Sequence, residues 1–346
     1  MEFIVIKLFI LTVVSFLVAF LATPLWSHVL YRYKLGKSIR DAASAPIMAA
    51  LHAKKAGTPT MGGVLVWGTA VFLALVVAVL DRYADGIFTK FNFLSRRETW
   101  LPLFALFSAA LIGLVDDYLN VRRIGPHGGG LRARHRLALY AVIAAIGAWW
   151  FYVKLDWHVL HIPFGPTVDL GLWFIPLFIF IITAVSHSVN VTDGLDGLAG
   201  GALAASFATY GGIAFLQGKY DLASLCAVIM GALLAFLWFN VNPARFFMGD
   251  TGSMSLGILL GIVAFLTNQV LLLPVIGLVF VIESASVIAQ LLSKKLRGKK
   301  LFRSTPLHHH LEAIGWPEPK VVMRLWIISA ATGVIGLVLA LLDKTF

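Results

Sequence analysis

Residues 170–216 read LGLWFIPLFIFIITAVSHSVNVTDGLDGLAGGALAASFATYGGIAFL, two apolar runs joined by a short polar segment. Each run has about the 20 residues that a helix needs to cross the hydrocarbon of a bilayer. Between the runs, Asn190, Asp193 and Asp196 recur at every third position, which places them on one face of a helical turn. Because ionisable side chains beside a bilayer are costly, the stretch predicts two membrane helices joined by a functional polar turn.

The same alternation of apolar runs and polar clusters continues along the chain. It has 346 residues, of which 59% are hydrophobic and 13% charged, and a mean hydropathy of +0.87. A soluble domain of that composition would expose far too much apolar surface. We therefore predict an all-α polytopic membrane protein with one integral-membrane domain, residues 1–346. About ten transmembrane helices are predicted, at 3–25, 60–80, 100–115, 135–154, 170–188, 198–216, 221–239, 252–268, 271–294 and 321–342.

The basic residues predict the direction in which these helices cross the membrane. Five connections and their flanks carry 20 of the 28 Lys and Arg residues: 26–59, 116–134, 189–197, 240–251 and 295–320. Because cytoplasmic loops are enriched in Lys and Arg, this set is predicted to be cytoplasmic and both termini periplasmic. The net charge of +11 then lies mainly at the inner face, where it suits membrane lipid or a phosphate-rich substrate. Nucleic acid is not an expected partner, since the sequence has no basic soluble module.

Asp116 and Asp117 are adjacent carboxylates at the predicted end of the 100–115 helix. Two anions at a helix C-terminus oppose the helix dipole, which favours cations there. The pair therefore indicates a site that handles metal or phosphate, with a solvated helix end as the alternative.

In the 190–201 stretch, glycines accompany the polar residues. Gly194 and Gly197 let the backbone approach a bulky ligand closely. Three polar acceptors within seven residues exceed what a simple turn needs, although a polar turn remains the alternative.

The connection 240–253 reads NVNPARFFMGDTGS and precedes a predicted helix. Backbone N–H groups at a helix start bind phosphate, and a single carboxylate there, Asp250, suits a Mg²⁺ that keeps several waters. Capping of the helix by Asp250 or Thr251 is the alternative, and it is compatible with a functional role.

Three consecutive histidines, His308, His309 and His310, follow a basic run. Consecutive histidines on regular structure cannot all face one metal, and zinc sites have a wider spacing. We interpret them as proton-tunable donors to phosphate oxygens, with an incidental loop as the alternative.

The stretch 54–63 reads KKAGTPTMGG and opens the second predicted helix. Lys55, Thr58 and Thr60 offer a cation and hydroxyls to an anion, whereas anchoring lysines beside the membrane would look the same. Glu283 lies in the middle of the ninth predicted helix; a buried, hydrogen-bonded role and a role beside a lipid substrate both remain open.

These motifs together resemble the phospho-N-acetylmuramoyl-pentapeptide-transferase (MraY) family of polyprenyl-phosphate N-acetylhexosamine-1-phosphate transferases. The motifs that carry the resemblance are GTPTMGG at 57–63, DDY at 116–118, NVTDGLDGLA at 190–199, NPARFFMGDTGS at 242–253 and PLHHHLE at 306–312. The resemblance covers nearly the whole chain. The histidine triplet together with the 57–63 motif favours this family over relatives that use UDP-GlcNAc.

The resemblance implies Mg²⁺-dependent transfer of phospho-MurNAc-pentapeptide from UDP-MurNAc-pentapeptide to undecaprenyl phosphate, giving lipid I and UMP. It also implies a bacterial inner-membrane location and a homodimer. Asp250, with Asn190, is the expected metal site, and Asp116, Asp117, Asp193 and His309 are the expected catalytic residues. The expected substrate-binding residues are Lys55, Thr58, Thr60, Arg136, Asn190, Asp193, Gly194, Leu195, Asp196, Asn240, Phe247, Gly249, His308, His309 and His310, with Phe247 and Asp196 near the uracil.

Two positions depart from the family pattern. Asn120 and Arg136 stand where the family often has lysine. Arg136 keeps the charge and is expected to grip phosphate with two hydrogen bonds, whereas Asn120 loses the charge. A transferase for UDP-GlcNAc and, from another class, a cation-coupled transporter are the alternatives; a transporter would place its acids near the membrane midplane.

Overall fold

The computed structural model describes residues 1–36, 55, 57–83, 86–94, 97–126 and 129–343. Lys54 of the 54–63 motif lies outside these residues. The described chain is almost entirely helical, with one two-stranded antiparallel hairpin, β1 (Val159–His161) and β2 (Thr167–Asp169). The helices are α1 (Glu2–Arg32), α2 (Val64–Tyr83), α3 (Ile87–Phe91), α4 (Arg97–Val121), α5 (Ala133–Trp149), α6 (Phe174–Thr192), α7 (Leu198–Leu216), α8 (Tyr220–Asn240), α9 (Asp250–Leu266), α10 (Leu273–Ile276), α11 (Leu278–Arg297), α12 (Leu307–Ala313) and α13 (Glu318–Leu342).

All ten predicted membrane segments have a helical counterpart. Eight helices among the described residues are long and apolar enough to cross a membrane. The stretch Val270–Ile276 and α11 together are also long and apolar enough to cross a membrane, but they are bent by 82° at the break between them, the geometry of a broken span or a re-entrant loop. Helix α9 is an apolar helix of 17 residues. The chain is therefore an all-α, multi-pass membrane protein, as predicted.

The 100–115 segment was predicted too short. α4 extends to Val121, so Asp116 and Asp117 lie within the helix, about one turn before its end, rather than closing it. The helix continues past the acids because both carboxylates find partners on neighbouring segments, as described below.

Helix α9 lies at the centre of the bundle, and every one of its residues is buried. Glycines allow its neighbours to approach: a Cβ on Gly63 would lie 2.3 Å from Gly252 Cα, and a Cβ on Gly257 would lie 2.7 Å from Ser186 Cα. A Cβ on Gly113 of α4 would lie 2.6 Å from the backbone of Asp250. Backbone contact between helices therefore fixes the position of the Asp250 end of α9.

We expect Gly113→Ala to destabilise the protein and reduce its activity. The added methyl group would collide with backbone, which cannot rotate away, so α4 and the start of α9 must separate. The expected cost is about 1–3 kcal/mol of overpacking, measured as a lower melting temperature in detergent. Gly68→Ala is the matched control, because its Cβ meets only Val64 Cγ1 at 3.9 Å. Equal melting temperatures for the two variants would contradict this account.

The end of the bundle opposite Asp250 is held together by Asp343, at the end of α13. Its carboxylate accepts hydrogen bonds from the Phe164 N–H, from His161 at 2.5 Å and from Gln269 at 3.4 Å. Burial would raise the pKa of Asp343, but these hydrogen bonds together hold it below its ordinary value. The hairpin is thereby tied to the last helix.

Candidate active site

Asp117 binds the first turn of the central helix. Its Oδ1 accepts a hydrogen bond from the Asp250 N–H at 3.1 Å, and its Oδ2 accepts one from the Thr251 N–H at 3.1 Å. A carboxylate at a helix N-terminus interacts favourably with the helix dipole. We had expected these N–H groups to bind phosphate; in the structure they bind Asp117 instead.

Arg136 joins the other two carboxylates. Its guanidinium donates to Asp116 Oδ2 at 3.1 Å and to Asp250 Oδ2. Asn190 Nδ2 donates to the second oxygen of Asp250 at 2.8 Å and to Ser253 Oγ at 2.9 Å. Residues from α4, α5, α6 and α9 thus form one network, the Asp250 network, consisting of Asp116, Asp117, Arg136, Asn190 and Asp250.

The Asp250 network suits a divalent cation. A guanidinium already bridges Asp116 and Asp250, so the site is built to hold positive charge between two carboxylates. Among the described residues no three His, Cys, Asp or Glu side chains form a ready metal cluster. Asp116 and Asp250 are the carboxylates of this network that could hold a divalent cation, since Mg²⁺ is often bound through one or two carboxylates. The Asn190 amide nitrogen donates to Asp250 and thereby orients this carboxylate.

A second network surrounds Lys55. Its Nζ lies 2.6 Å from Asp196 Oδ1 and 2.5 Å from Glu318 Oε1. The other Asp196 oxygen accepts from Asn242 Nδ2 at 2.9 Å and from the Ala244 N–H at 3.1 Å. Asp196 therefore fixes the loop before Phe247, whose ring centroid is 5.9 Å from the Lys55 nitrogen.

Backbone hydrogen bonds connect the 54–63 motif to the 240–253 connection. The N–H groups of Gly62 and Gly63 donate to the carbonyls of Phe247 and Met248, each at 2.8 Å. Thr60 is buried beside Gly249, and its hydroxyl has no hydrogen-bond partner in the structure. Thr58 is half-buried. These two sequence motifs therefore form a single wall of the site.

The side chain of Asn240 is hydrogen-bonded within the protein rather than open to a ligand. Its side chain accepts from the Gly197 N–H at 3.0 Å and donates to the Phe246 carbonyl at 2.7 Å. Its amide is used in joining the 190–201 stretch to the loop after α8. Asn240 thus shapes the site through its neighbours.

The three histidines do not act as one group. His308 Nδ1 lies 3.0 Å from Glu283 Oε2, and His309 Nδ1 lies 2.9 Å from Glu312 Oε2. His310 instead accepts from the Arg303 N–H at 3.3 Å, on the other side of α12. Two glutamates therefore orient two of the histidines.

His308 reaches the 190–201 stretch. A Cβ on Gly194 would lie 2.2 Å from His308 Nε2, so only glycine fits there. We had expected Gly194 to make room for a ligand; in the structure it makes room for this ring. Asp193 is half-buried directly after α6, and Leu195 is buried. The histidine segment therefore lies directly against the predicted catalytic turn.

The chain is similar to known proteins over most of its length. A model described as glycosyl transferase family 4 matches residues 99–268, and a signature for phospho-N-acetylmuramoyl-pentapeptide-transferase matches residues 55–65. A phospho-N-acetylmuramoyl-pentapeptide-transferase of Geobacillus sp. (strain WCH70) is 40% identical, covering 94% of this chain and 95% of that protein. Proteins of the same name from Chloroflexus aggregans and Desulfosudis oleivorans are 36% and 40% identical, each covered over 89% of its length.

The chain belongs to the phospho-N-acetylmuramoyl-pentapeptide-transferase (MraY) family. The two matched regions contain Lys55 and the whole Asp250 network. Glu283, the histidines and Glu318 lie outside those regions, yet Glu318 contacts Lys55 and the His308 ring lies against Gly194. In this member of the MraY family, the guanidinium of Arg136 forms ion pairs with two carboxylates, those of Asp116 and Asp250.

Sequence reasoning missed Glu318. It accepts from Lys55 and, at 2.8 Å, from the Asp196 N–H, so it stabilises the second network. The signal available was an acid in the first turn of the last membrane helix, at the same membrane face as the other acids.

Proposed function

We propose that this protein transfers phospho-MurNAc-pentapeptide from UDP-MurNAc-pentapeptide to undecaprenyl phosphate, giving lipid I and releasing UMP. The observation that carries the proposal is the Asp250 network, in which distant parts of the chain meet at one end of the membrane helices. The names of the similar proteins support transfer of a phospho-N-acetylmuramoyl-pentapeptide group.

The proposed location is the bacterial inner membrane, with the site in the cytoplasm and both termini in the periplasm. The ends of the helices that carry the Asp250 network also carry most of the basic residues, which favours that orientation. A site at the inner helix ends lets the lipid tail remain in the bilayer while its phosphate meets a soluble nucleotide. We further propose that the protein works as a homodimer.

The chemistry needs charge compensation more than a strong base. The attacking phosphate monoester has a second pKa near 6, so it is already ionised at neutral pH. Asp117 has both oxygens bound by backbone N–H groups, so its role is to position Asp250 rather than to attack. Lys55 and Arg136 are the cations that bind and orient the phosphates of the two anionic substrates. A bound Mg²⁺ would neutralise charge that develops on the diphosphate.

We propose a single displacement without a phosphorylated enzyme. Each of the three network carboxylates accepts hydrogen bonds from other parts of the chain, which favours a role in positioning and charge over one in attack. Exchange of labelled UMP into UDP-MurNAc-pentapeptide in the absence of lipid phosphate would contradict this mechanism.

The function is tested by incubating the purified protein with Mg²⁺, UDP-MurNAc-pentapeptide and undecaprenyl phosphate and measuring UMP release. UDP-GlcNAc is the competing donor, and faster UMP release from it would replace the proposed donor. Solute flux into liposomes without any product would instead favour a transporter.

We expect Glu283→Gln to lower kcat/KM by about 10- to 100-fold, because a charge-assisted hydrogen bond to His308 is lost. Both side chains are fully buried, so His308 has no water to replace Glu283. The readout is the pH profile of UMP release together with kcat/KM. A change in the profile together with a fall in kcat/KM indicates that Glu283 orients the imidazole.

Ser284→Ala is the matched control for Glu283→Gln. Ser284 is the next residue of the same helix and makes a neutral hydrogen bond of 2.8 Å to Ser188. Its loss is expected to cost only about 1 kcal/mol of stability and leave the pH profile unchanged. Identical profiles for both variants and the parent protein would remove Glu283 from the proposed site.

A further inference from the structure

The last two turns of α11 project from the bundle. The buried residues of this helix are Val279, Phe280, Glu283, Ser286 and Gln290, one stripe that faces the other helices. After Gln290 this stripe ends, and residues 291–297 are exposed apart from a half-buried Ser293. This part of the helix therefore contacts the surroundings of the protein rather than its core.

The projecting end is amphipathic. With 3.6 residues per turn, Ile288, Leu291, Leu292 and Leu296 fall on one side of the helix, and all four are strongly exposed. Lys294 and Arg297 fall on the opposite side, and Lys295 lies at the apolar side, where its long stem can reach toward water. A leucine face beside a basic face is typical of a helix that lies at a membrane surface.

The positive charge continues into the loop after α11. Lys299, Lys300 and Arg303 bring the number of cations between Glu283 and Glu312 to six, with no acid among them. All six are exposed, and none forms an ion pair with another residue in the described part of the chain. We call these six residues and the four apolar ones the basic end of α11.

The basic end of α11 is connected to the histidine segment. Gln290 accepts hydrogen bonds from the Leu301 and Phe302 N–H groups, at 2.8 and 2.9 Å, so the loop folds back on its helix. The Phe302 ring lies 5.3 Å from the His310 ring, and the Arg303 N–H donates to His310. Movement of the basic end of α11 would therefore displace α12.

We propose that the basic end of α11 is a binding surface for anionic phospholipid headgroups of the membrane, and that this binding holds α12 in place over the site. Charge complementarity favours this occupant, because six cations that form no ion pair within the described part of the chain suit a partner that is rich in phosphate. The exposed leucines favour lipid over a free anion, since a free anion has no apolar part to cover them.

The test uses the full-length protein in vesicles of phosphatidylcholine with increasing fractions of phosphatidylglycerol. Native mass spectrometry after extraction measures which lipid is retained, and UMP release measures activity. The fourfold variant Lys294→Gln, Lys295→Gln, Lys299→Gln, Lys300→Gln is expected to lose preference for phosphatidylglycerol by about tenfold. In the parent protein, high salt should weaken the same preference, and this arm needs no variant.

The matched control removes four exposed cations elsewhere at the same ends of the helices: Arg32→Gln, Lys34→Gln, Arg132→Gln, Arg134→Gln. It should keep the preference for phosphatidylglycerol. Equal loss in both variants, or no loss in the first, would overturn the proposal. Abolition of the preference by inorganic phosphate, but not by sodium chloride at the same ionic strength, would also overturn it, in favour of a simple phosphate subsite.

The activity arm rests on the proposed transferase function, whereas lipid retention does not. If no variant releases UMP but lipid retention follows the expected pattern, the transferase proposal fails and the lipid surface stands. If UMP release is normal and insensitive to phosphatidylglycerol in every variant, the proposed control of α12 is wrong.

Discussion

Asp250→Asn is expected to remove nearly all transferase activity while the protein stays folded. The substitution keeps the shape of the side chain but takes away the negative charge that faces Arg136 and the proposed Mg²⁺. Losing one preorganised electrostatic contact costs about 100- to 1000-fold in rate, and loss of the metal adds to that. Because Arg136 retains Asp116 at 3.1 Å, the melting temperature should change by only a few degrees.

The measurement is UMP release over a range of Mg²⁺ concentrations, with melting temperature in detergent recorded for the same samples. Ser253→Ala is the matched control, since Ser253 accepts from the same Asn190 amide but carries no charge. It should lose no more than about tenfold. Turnover close to that of the parent protein for Asp250→Asn at saturating Mg²⁺ would refute the assignment.

Asp117→Asn should lower activity and stability together. An amide offers one acceptor to two backbone donors, so either the Asp250 or the Thr251 N–H is left buried without its partner. The expected cost is about 2 kcal/mol of stability, because these hydrogen bonds involve a charged group at a helix start. Displacement of the first turn of α9 should also reduce UMP release by about 100-fold or more.

A comparison between the two aspartates separates their roles. Asp250→Asn should affect activity far more than the melting temperature, whereas Asp117→Asn should affect both. Asp221→Asn serves as the control, because Asp221 is a partly exposed acid in the first turn of α8 whose carboxylate lies 3.7 Å from Lys7 and is not a member of the network. If Asp117→Asn melts like the parent protein, its hydrogen bonds to α9 contribute little and Asp117 regains a direct role in the reaction.

The membrane helices could be predicted because segment length and apolarity are local properties that the bilayer thickness constrains. The polar residues of the site could also be located, since acids beside a membrane are costly and therefore stand out. For this reason Asp116, Asp117, Asn190 and Asp250 were singled out, and the structure brings them together.

The partners of these residues could not be predicted. Asp117 binds backbone groups more than 130 positions away along the chain, and backbone donors carry no signature in the sequence. The same reason explains why the start of α9 was interpreted as a phosphate site. Glu318 was missed because its partner Lys55 lies 263 positions away, and no local pattern links them.

The guanidinium of Arg136 provides, from within the chain, the positive charge that two buried carboxylates need. Assembly of the newly inserted protein therefore does not have to wait for a divalent ion, because α4, α5 and α9 can close without mutual repulsion of their acids. On the proposed Mg²⁺-dependent mechanism, a chelator should stop UMP release without loosening the helices. The proposed ion would then bind to a protein that is already folded.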